Sequence, residues 1–331
     1  MSVAEIESRE IQFEAPSGLW RDAWSRLRRN PGALVGIGLV SSFVLIAVFA
    51  PLIAPYDPRA QDLAALGGRC CPGPSSDHWF GLDALGRDEL SRIVYGARYS
   101  IVIGIVAVAV GLSIGLVLGA IAGYFGGVAD SIVMRGMDIM LAVPGLLLAI
   151  GIVAMLGPGL FQIMIAVGVT QVPIFARLLR GSILAQREND FVLAARSVGV
   201  PRRSILSSHI LPNAVSPLIV QGTLAMATAI IDVAGLGFLG LGPQDPSTPE
   251  WGTMLTDTTR YLQTAPFLAL IPGAAIVVTV LGFNLIGDGL REALDPRAQG
   301  AVEPSAFIIS AQKRPMSPAP IPGGGDRTPA V

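Results

Sequence analysis

The residues in this chain that could do chemistry are few and poorly placed for it. Gly111-Leu112-Ser113-Ile114-Gly115 has the spacing of a nucleophile elbow, in which a serine is held on a sharp turn between a strand and a helix. Here the five residues sit inside an unbroken apolar run, and no long apolar run contains a histidine to take the serine proton. Gly111, Gly115, Gly119 and Gly123 recur at every fourth position, the pattern of a close-packed face between membrane helices. The spacing therefore predicts helix packing, not hydrolysis. A nucleotide-binding loop needs Gly-Lys-Ser/Thr after a glycine-rich turn, but the single lysine, Lys313, lies between Gln312 and Arg314. His78, His209 and the adjacent Cys70 and Cys71 cannot supply a His/Cys metal cluster. No catalytic and no metal-ligating residue is assigned. The formal net charge of −1 offers no bulk field for nucleic acid.

Carboxylates near apolar runs are the remaining candidates, because an ionisable group inside a bilayer is expensive and by default functional. Asp138 and Asp288 fall at the ends of such runs, where they can be solvated or paired. Asp232 falls well inside one. Asp232 and Gln171 are candidate pathway residues, or polar contacts between helices.

Membrane helices must position these residues. The chain is 52% hydrophobic and only 14% charged, where soluble domains average about 25% charged, and its mean hydropathy is +0.61. Six apolar stretches are long enough to span: 33–53, 100–125, 137–156, 160–176, 214–238 and 267–286. The fourth carries Gln162, Gln171 and Pro173 and is expected inside the bundle, kinked. The segment before the first span, and the apolar core itself, are both too long for a cleaved signal peptide. Trp20, Trp24 and Leu27 share a helical face among Arg21, Arg26, Arg28 and Arg29. That pattern suits a helix in the headgroup layer or one packed on protein. Residues 1–16 and the Pro/Gly-rich stretch after Arg297 read as disordered tails. Six spans put both termini on one side. With that side inside, 17 of the 23 Lys and Arg residues are inside, the asymmetry expected of cytoplasmic loops. Cys70-Cys71 then lies outside, and a mutual disulfide, a bond to a partner and two free thiols are all open.

Residues 187–217 lie between two spans and cannot enter the membrane. Six charges, from Arg187 to Arg203, would cost about 3 kcal/mol each at mid-membrane, or about 18 kcal/mol together. Local order is nonetheless expected. Asp190 can cap a short helix with Phe191, Ala194, Ala195 and Val198 on one face. Gly199 suits its C-terminal turn and Pro201 discourages continuation. A second helical run from about Arg202 is expected to stop near Leu211-Pro212.

Ala194, Ala195, Gly199, Leu211 and Pro212 fit the pattern Glu-Ala-Ala, three residues, Gly, nine residues, Ile-x-Leu-Pro, with Leu193 in place of Glu and His209 in place of Ile. This resembles the cytoplasmic coupling loop of ABC importer permeases. Three further strings are similar to the dipeptide/oligopeptide branch. They are Phe80-Gly81-Leu82-Asp83-Ala84-Leu85-Gly86-Arg87-Asp88 through Arg98, Leu236–Gly242 followed by Trp251-Gly252, and Ile271-Pro272-Gly273 with Asn284–Leu290 and Asp295-Pro296-Arg297. Leu82 stands where Thr is usual. The likeness runs in order over about residues 17–298.

The resemblance implies an all-α membrane protein with six transmembrane helices, the type I ABC importer permease fold and a coupling helix between spans four and five. It implies a C-type subunit with a cytoplasmic segment 1–32, a permease domain 33–298 (external loop 54–98, coupling loop 187–213) and a tail 299–331. The implied ATPase-coupling residues are Asp190, Phe191, Ala194, Ala195, Arg196, Gly199, His209, Leu211 and Pro212. The implied partners are a homologous B-type permease, two ATPase subunits or one fused ATPase, and an extracytoplasmic substrate-binding protein. ATP and Mg would be held by the ATPase, none by this chain, which would lie in the bacterial plasma membrane with both termini cytoplasmic. The implied cargo is a di- or oligopeptide, with nickel, haem or another small molecule as alternatives. The rival from another class is an ion-coupled secondary transporter working through Asp232.

Overall fold

The computed structural model describes residues 19–67 and 70–294. The expected tails at 1–16 and 299–331 lie outside the described residues. Among the described residues the chain is helical, with a single isolated bridge between Leu82 and Asp88. Among the described residues five helices are long and apolar enough to cross a membrane, or six if one bent pair counts as a span.

Helix α1 (Leu19–Leu27) lays Ala23 and Leu27 against Ala33 and Ala293. Trp24 faces away, with the Arg28 guanidinium over its ring. So Trp24 and Leu27 do not share an environment as the helical spacing suggested. Asn30 then caps α2 (Pro31–Val48), accepting from the Ala33 N–H at 3.1 Å, with Pro31 at the first helical position where no N–H is needed. Pro51 follows a break at Phe49, so the end of the first span is a separate short turn, Ala50–Ile53.

Helix α3 (Glu89–Phe125) is 37 residues long. Residues 89–99 are its first three turns and lead directly into the apolar run, because nothing between Glu89 and Ser100 breaks the helix. The third span is not continuous. Val143 takes an extended conformation before Pro144, as a residue preceding proline tends to. The chain there turns by 94° between α4 (Gly127–Ala142) and α5 (Gly145–Leu156). Helix α6 (Leu160–Arg187) contains Pro173 and runs about three turns past the expected end of span four.

After α6 come α7 (Asp190–Ser197), a helical turn Arg202–Ser204, a π-helical segment Ile205–Ile210, and α8 (Leu211–Leu236). A second π-helical turn, Gly237–Leu241, precedes α9 (Trp251–Thr258), and α10 (Phe267–Leu294) ends the described chain. The expected stop at Leu211-Pro212 does not occur. Pro212 falls in the first turn of α8, directly after the π-helical segment has already shifted the hydrogen-bond ladder, so its missing N–H interrupts little.

The centre of the bundle is α3 against α6. Every glycine of the four-residue column faces α6. A methyl group at Gly115 would fall 2.6 Å from the Phe175 Cβ, and one at Gly119 would fall 2.6 Å from the Ala176 carbonyl oxygen. Ser113 lies well inside helix α3 and not on a strand-to-helix turn, which disposes of the elbow reading. Ile103, Ala107, Phe175, Leu179 and Ile183 form one core with Ala225, Ala229 and Val233 of α8.

Candidate functional site

The predicted coupling residues gather at the end of the bundle where α6 leaves it. Asp190 is the first residue of α7, not its cap. Asn189 takes the cap position and makes no side-chain cap bond. The C-terminus is better specified. Gly199 has φ +81°, the left-handed region that favours glycine. The Val200 N–H donates to the Ala195 carbonyl at 3.1 Å and the Gly199 N–H to that of Arg196 at 3.0 Å, the paired bonds of a Schellman turn.

The predicted apolar face divides in two. Val192 and Ala195 are buried against the bundle core. Phe191 (39% exposed), Leu193, Ala194 and Val198 (79% exposed) face outward with Arg196. Helix α7 thus has a docked side of two small residues and a larger, bare apolar side. Gly199 has open space around it. His209 lies in the π-helical segment, and its Nδ1 is buried without a hydrogen-bond partner. Its carbonyl accepts from the Asn213 side chain at 2.7 Å. Leu211 is half-buried and Pro212 exposed at the start of α8.

What lies behind α7 is tied down by arginine. Arg180 on α6 pairs through two nitrogens with the Asp130 carboxylate on α4. Arg177 pairs with Asp138, so the latter carboxylate is partnered as its position suggested. Arg187 donates to the Gly123 carbonyl at 3.1 Å. These contacts tie α6 to α4 and α3. Sequence reading missed these three arginines; their spacing at the end of a span was the available signal.

Asp232 and Gln171 are not brought together. Gln171 is buried in the α3–α6 seam and donates to the Thr228 hydroxyl of α8 at 3.3 Å, a packing role. Asp232 lies one turn beyond Thr228, half-buried and without an ion-pair or hydrogen-bond partner among the described residues.

The opposite end is closed by a charged cage that the sequence did not reveal as a unit. The Asp83 carboxylate accepts from the Leu85 and Arg87 N–H groups, both at 2.9 Å, and from Arg87 Nε at 2.6 Å. Asp88 caps α3, accepting from the Ser91 N–H and hydroxyl at 2.7 Å, and meets His78 Nδ1 at 2.9 Å. Arg87 also reaches the Pro246 carbonyl. Glu250, buried, accepts from the Gly252 and Thr253 N–H groups at the start of α9, and burial raises its pKa. Trp251 donates to the Ile93 carbonyl at 3.1 Å. Cys70 and Cys71 are bonded to each other, with Cys71 packed on Ala265 and Leu268.

Residues 115–300 match the family described as binding-protein-dependent transport system inner membrane component. The chain belongs to that family. It is a multi-pass inner membrane permease and not itself an ATPase. Residues 18–67 of this permease match the N-terminal transmembrane domain of oligopeptide transport permease C. The permease is 49% identical to the dipeptide transport system permease protein DppC of Alkalihalophilus pseudofirmus, over 87% of this chain and 93% of that one. It is 48% identical to the glutathione transport system permease protein GsiD of Salmonella typhimurium, over 85% and 91%. The fold is that of a subunit in the inward-facing MetNI methionine ABC transporter, at TM-score 0.52 and 19% identity, covering 62% of this chain and 97% of that one.

Proposed function

We propose that this permease forms half of the translocation pathway of an ATP-driven importer of short peptides. In this reading α7 is its contact with a separate ATPase. A homologous B-type permease supplies the other half, and an extracytoplasmic binding protein delivers the cargo. The observation that carries the reading is the bare side of α7. Phe191, Leu193, Ala194 and Val198 stay exposed on a helix that is otherwise docked and turned off sharply at Gly199. A charged loop has no reason to keep such a surface unless a partner covers it. The positive-inside asymmetry supports a cytoplasmic place for it, and the names of the two relatives support peptide cargo.

The proposed cycle is alternating access. Closure of the ATPase pair moves α7, and the Arg180–Asp130, Arg177–Asp138 and Arg187–Gly123 contacts pass the movement to α4 and α3. Gly199→Trp tests it in the assembled transporter. Peptide uptake is expected to fall more than ten-fold while the complex still assembles and hydrolyses ATP. Full uptake by this variant would remove α7 as the lever. Uptake that persisted without ATP and stopped with Asp232→Asn would instead favour ion coupling.

A further inference from the structure

Between the cage at the start of α3 and the segment after α9 lies a half-open cavity of about 470 Å³. Asp83, Arg87, Glu89, Arg92, Asp257 and Arg260 line it. Its size falls within the range of small-molecule pockets. Arg92 (1% exposed) and Glu89 (2% exposed) are buried in its wall. Arg92 Nε and Nη1 and Glu89 Oε1 have no hydrogen-bond partner. Buried polar atoms are almost always satisfied, and buried guanidinium groups more so. The nearest carboxylate to Arg92, Asp83, lies 3.3 Å from Nη1 but already accepts from two backbone N–H groups and from Arg87 Nε. The Arg92 guanidinium therefore lies buried in the cavity wall with Nε unpaired and Nη1 held only by a long ion-pair contact to Asp83.

We propose that this cavity binds the free carboxylate of a small zwitterion, an amino acid or short peptide, on Arg92, with Arg260 at the rim. A buried guanidinium with an unpaired Nε–H suits a carboxylate oxygen. Asp257, about half-exposed on the same wall, can meet an ammonium group. Glu89 opens α3 well before the apolar run that begins at Ser100, and burial pushes its carboxyl up to about 8, against the pull of Arg92. Asp83, Arg87 and Asp88 act on it more weakly. At neutral pH Glu89 is mostly protonated, so the lining carries an excess of positive charge. Above pH 8 it ionises beside Arg92, and an anion is held less well.

The choice of a peptide as ligand rests on the cargo proposed above; the carboxylate requirement does not. The full chain in lipid nanodiscs would be probed by ligand-observed saturation-transfer NMR with L-alanyl-L-alanine, its C-terminal amide and N-acetyl-L-alanine. The dipeptide and N-acetylalanine are expected to bind and the amide at least ten-fold more weakly. Arg260→Ser should weaken the dipeptide about three-fold and Arg92→Gln should abolish its binding. Raising the pH from 7 to 9 should weaken the binding of N-acetyl-L-alanine, which has no ammonium to titrate, several-fold in the parent chain but not in Glu89→Gln. Should Arg92→Gln fail to fold, the amide comparison and Arg260→Ser decide the matter. Equal binding of acid and amide, no binding of any probe, or indifference to Arg260→Ser overturns the proposal. If N-acetylalanine binds but the assembled transporter imports no peptide, the cargo reading fails and the site stands.

Discussion

At one end of the bundle Asp83 and Glu250 each accept three hydrogen bonds, and Asp88 accepts two beside His78. At the other end α7 begins without a side-chain cap and shows most of its apolar side to solvent. Both ends contain loops rich in charge, so composition does not explain the difference. The cage builds its own shape from internal partners. Helix α7 fixes only its direction, through the turn at Gly199 and the buried Val192 and Ala195, and leaves its outer side unpaired. Side chains that hold a shape are therefore separable by mutation from the exposed side chains of α7.

The largest expected effect after Gly199→Trp is at the cage. Asp88→Ala removes the cap of α3 and strands Ser91 and His78. It should lower stability by about 3 kcal/mol, from a cap worth about 1 and two orphaned buried partners. Thermal unfolding of the detergent-solubilised chain would read this as a lowered midpoint; an unchanged midpoint would mean the cage is ornamental. Glu250→Gln keeps the shape but sets an amide N–H₂ against the Thr253 N–H or hydroxyl, and should cost about 1–2 kcal/mol in the same measurement. At the other end Val198→Ser, on a side chain already 79% exposed, should leave the midpoint within about 0.5 kcal/mol. It should still reduce uptake by the assembled transporter about three-fold, and uptake equal to the parent would argue that this side is not covered. Arg177→Gln should be the smallest, within about 0.5 kcal/mol, because its pair with Asp138 is half-exposed on both sides.

Sequence patterns that report a period were legible. The glycine column of α3 and the apolar lengths of the spans follow from spacing alone, and both reappear in the packing. The turn at Gly199 was legible because a glycine followed by a valine-proline pair leaves the chain few other options. Features that depend on a competition between neighbours were not. Pro144 sits inside an apolar run, and composition says nothing about whether a run bends. Asn189 and Asp190 are both good caps, and only the packing of Val192 and Ala195 selects the first. Pro212 looked like a terminator because nothing local announces a π-helical turn before it. The cage was read as a string of family residues; that Asp83, Arg87 and Arg92 converge on one cavity depends on the segment after α9, far away in the chain.

The seam between α3 and α6 limits how the protein can work. They pack at close range over about three turns, the glycines of α3 meeting the Gly168 and Ala176 carbonyls and the Cβ atoms of Gln171, Phe175 and Ile183. Neither helix can slide or roll against the other without driving a Cα into a carbonyl, so the two must travel as one stator. In the cycle proposed above α3 and α6 therefore move as one unit, and the right-angled corner at Val143-Pro144 is the joint at which α5 turns against α4.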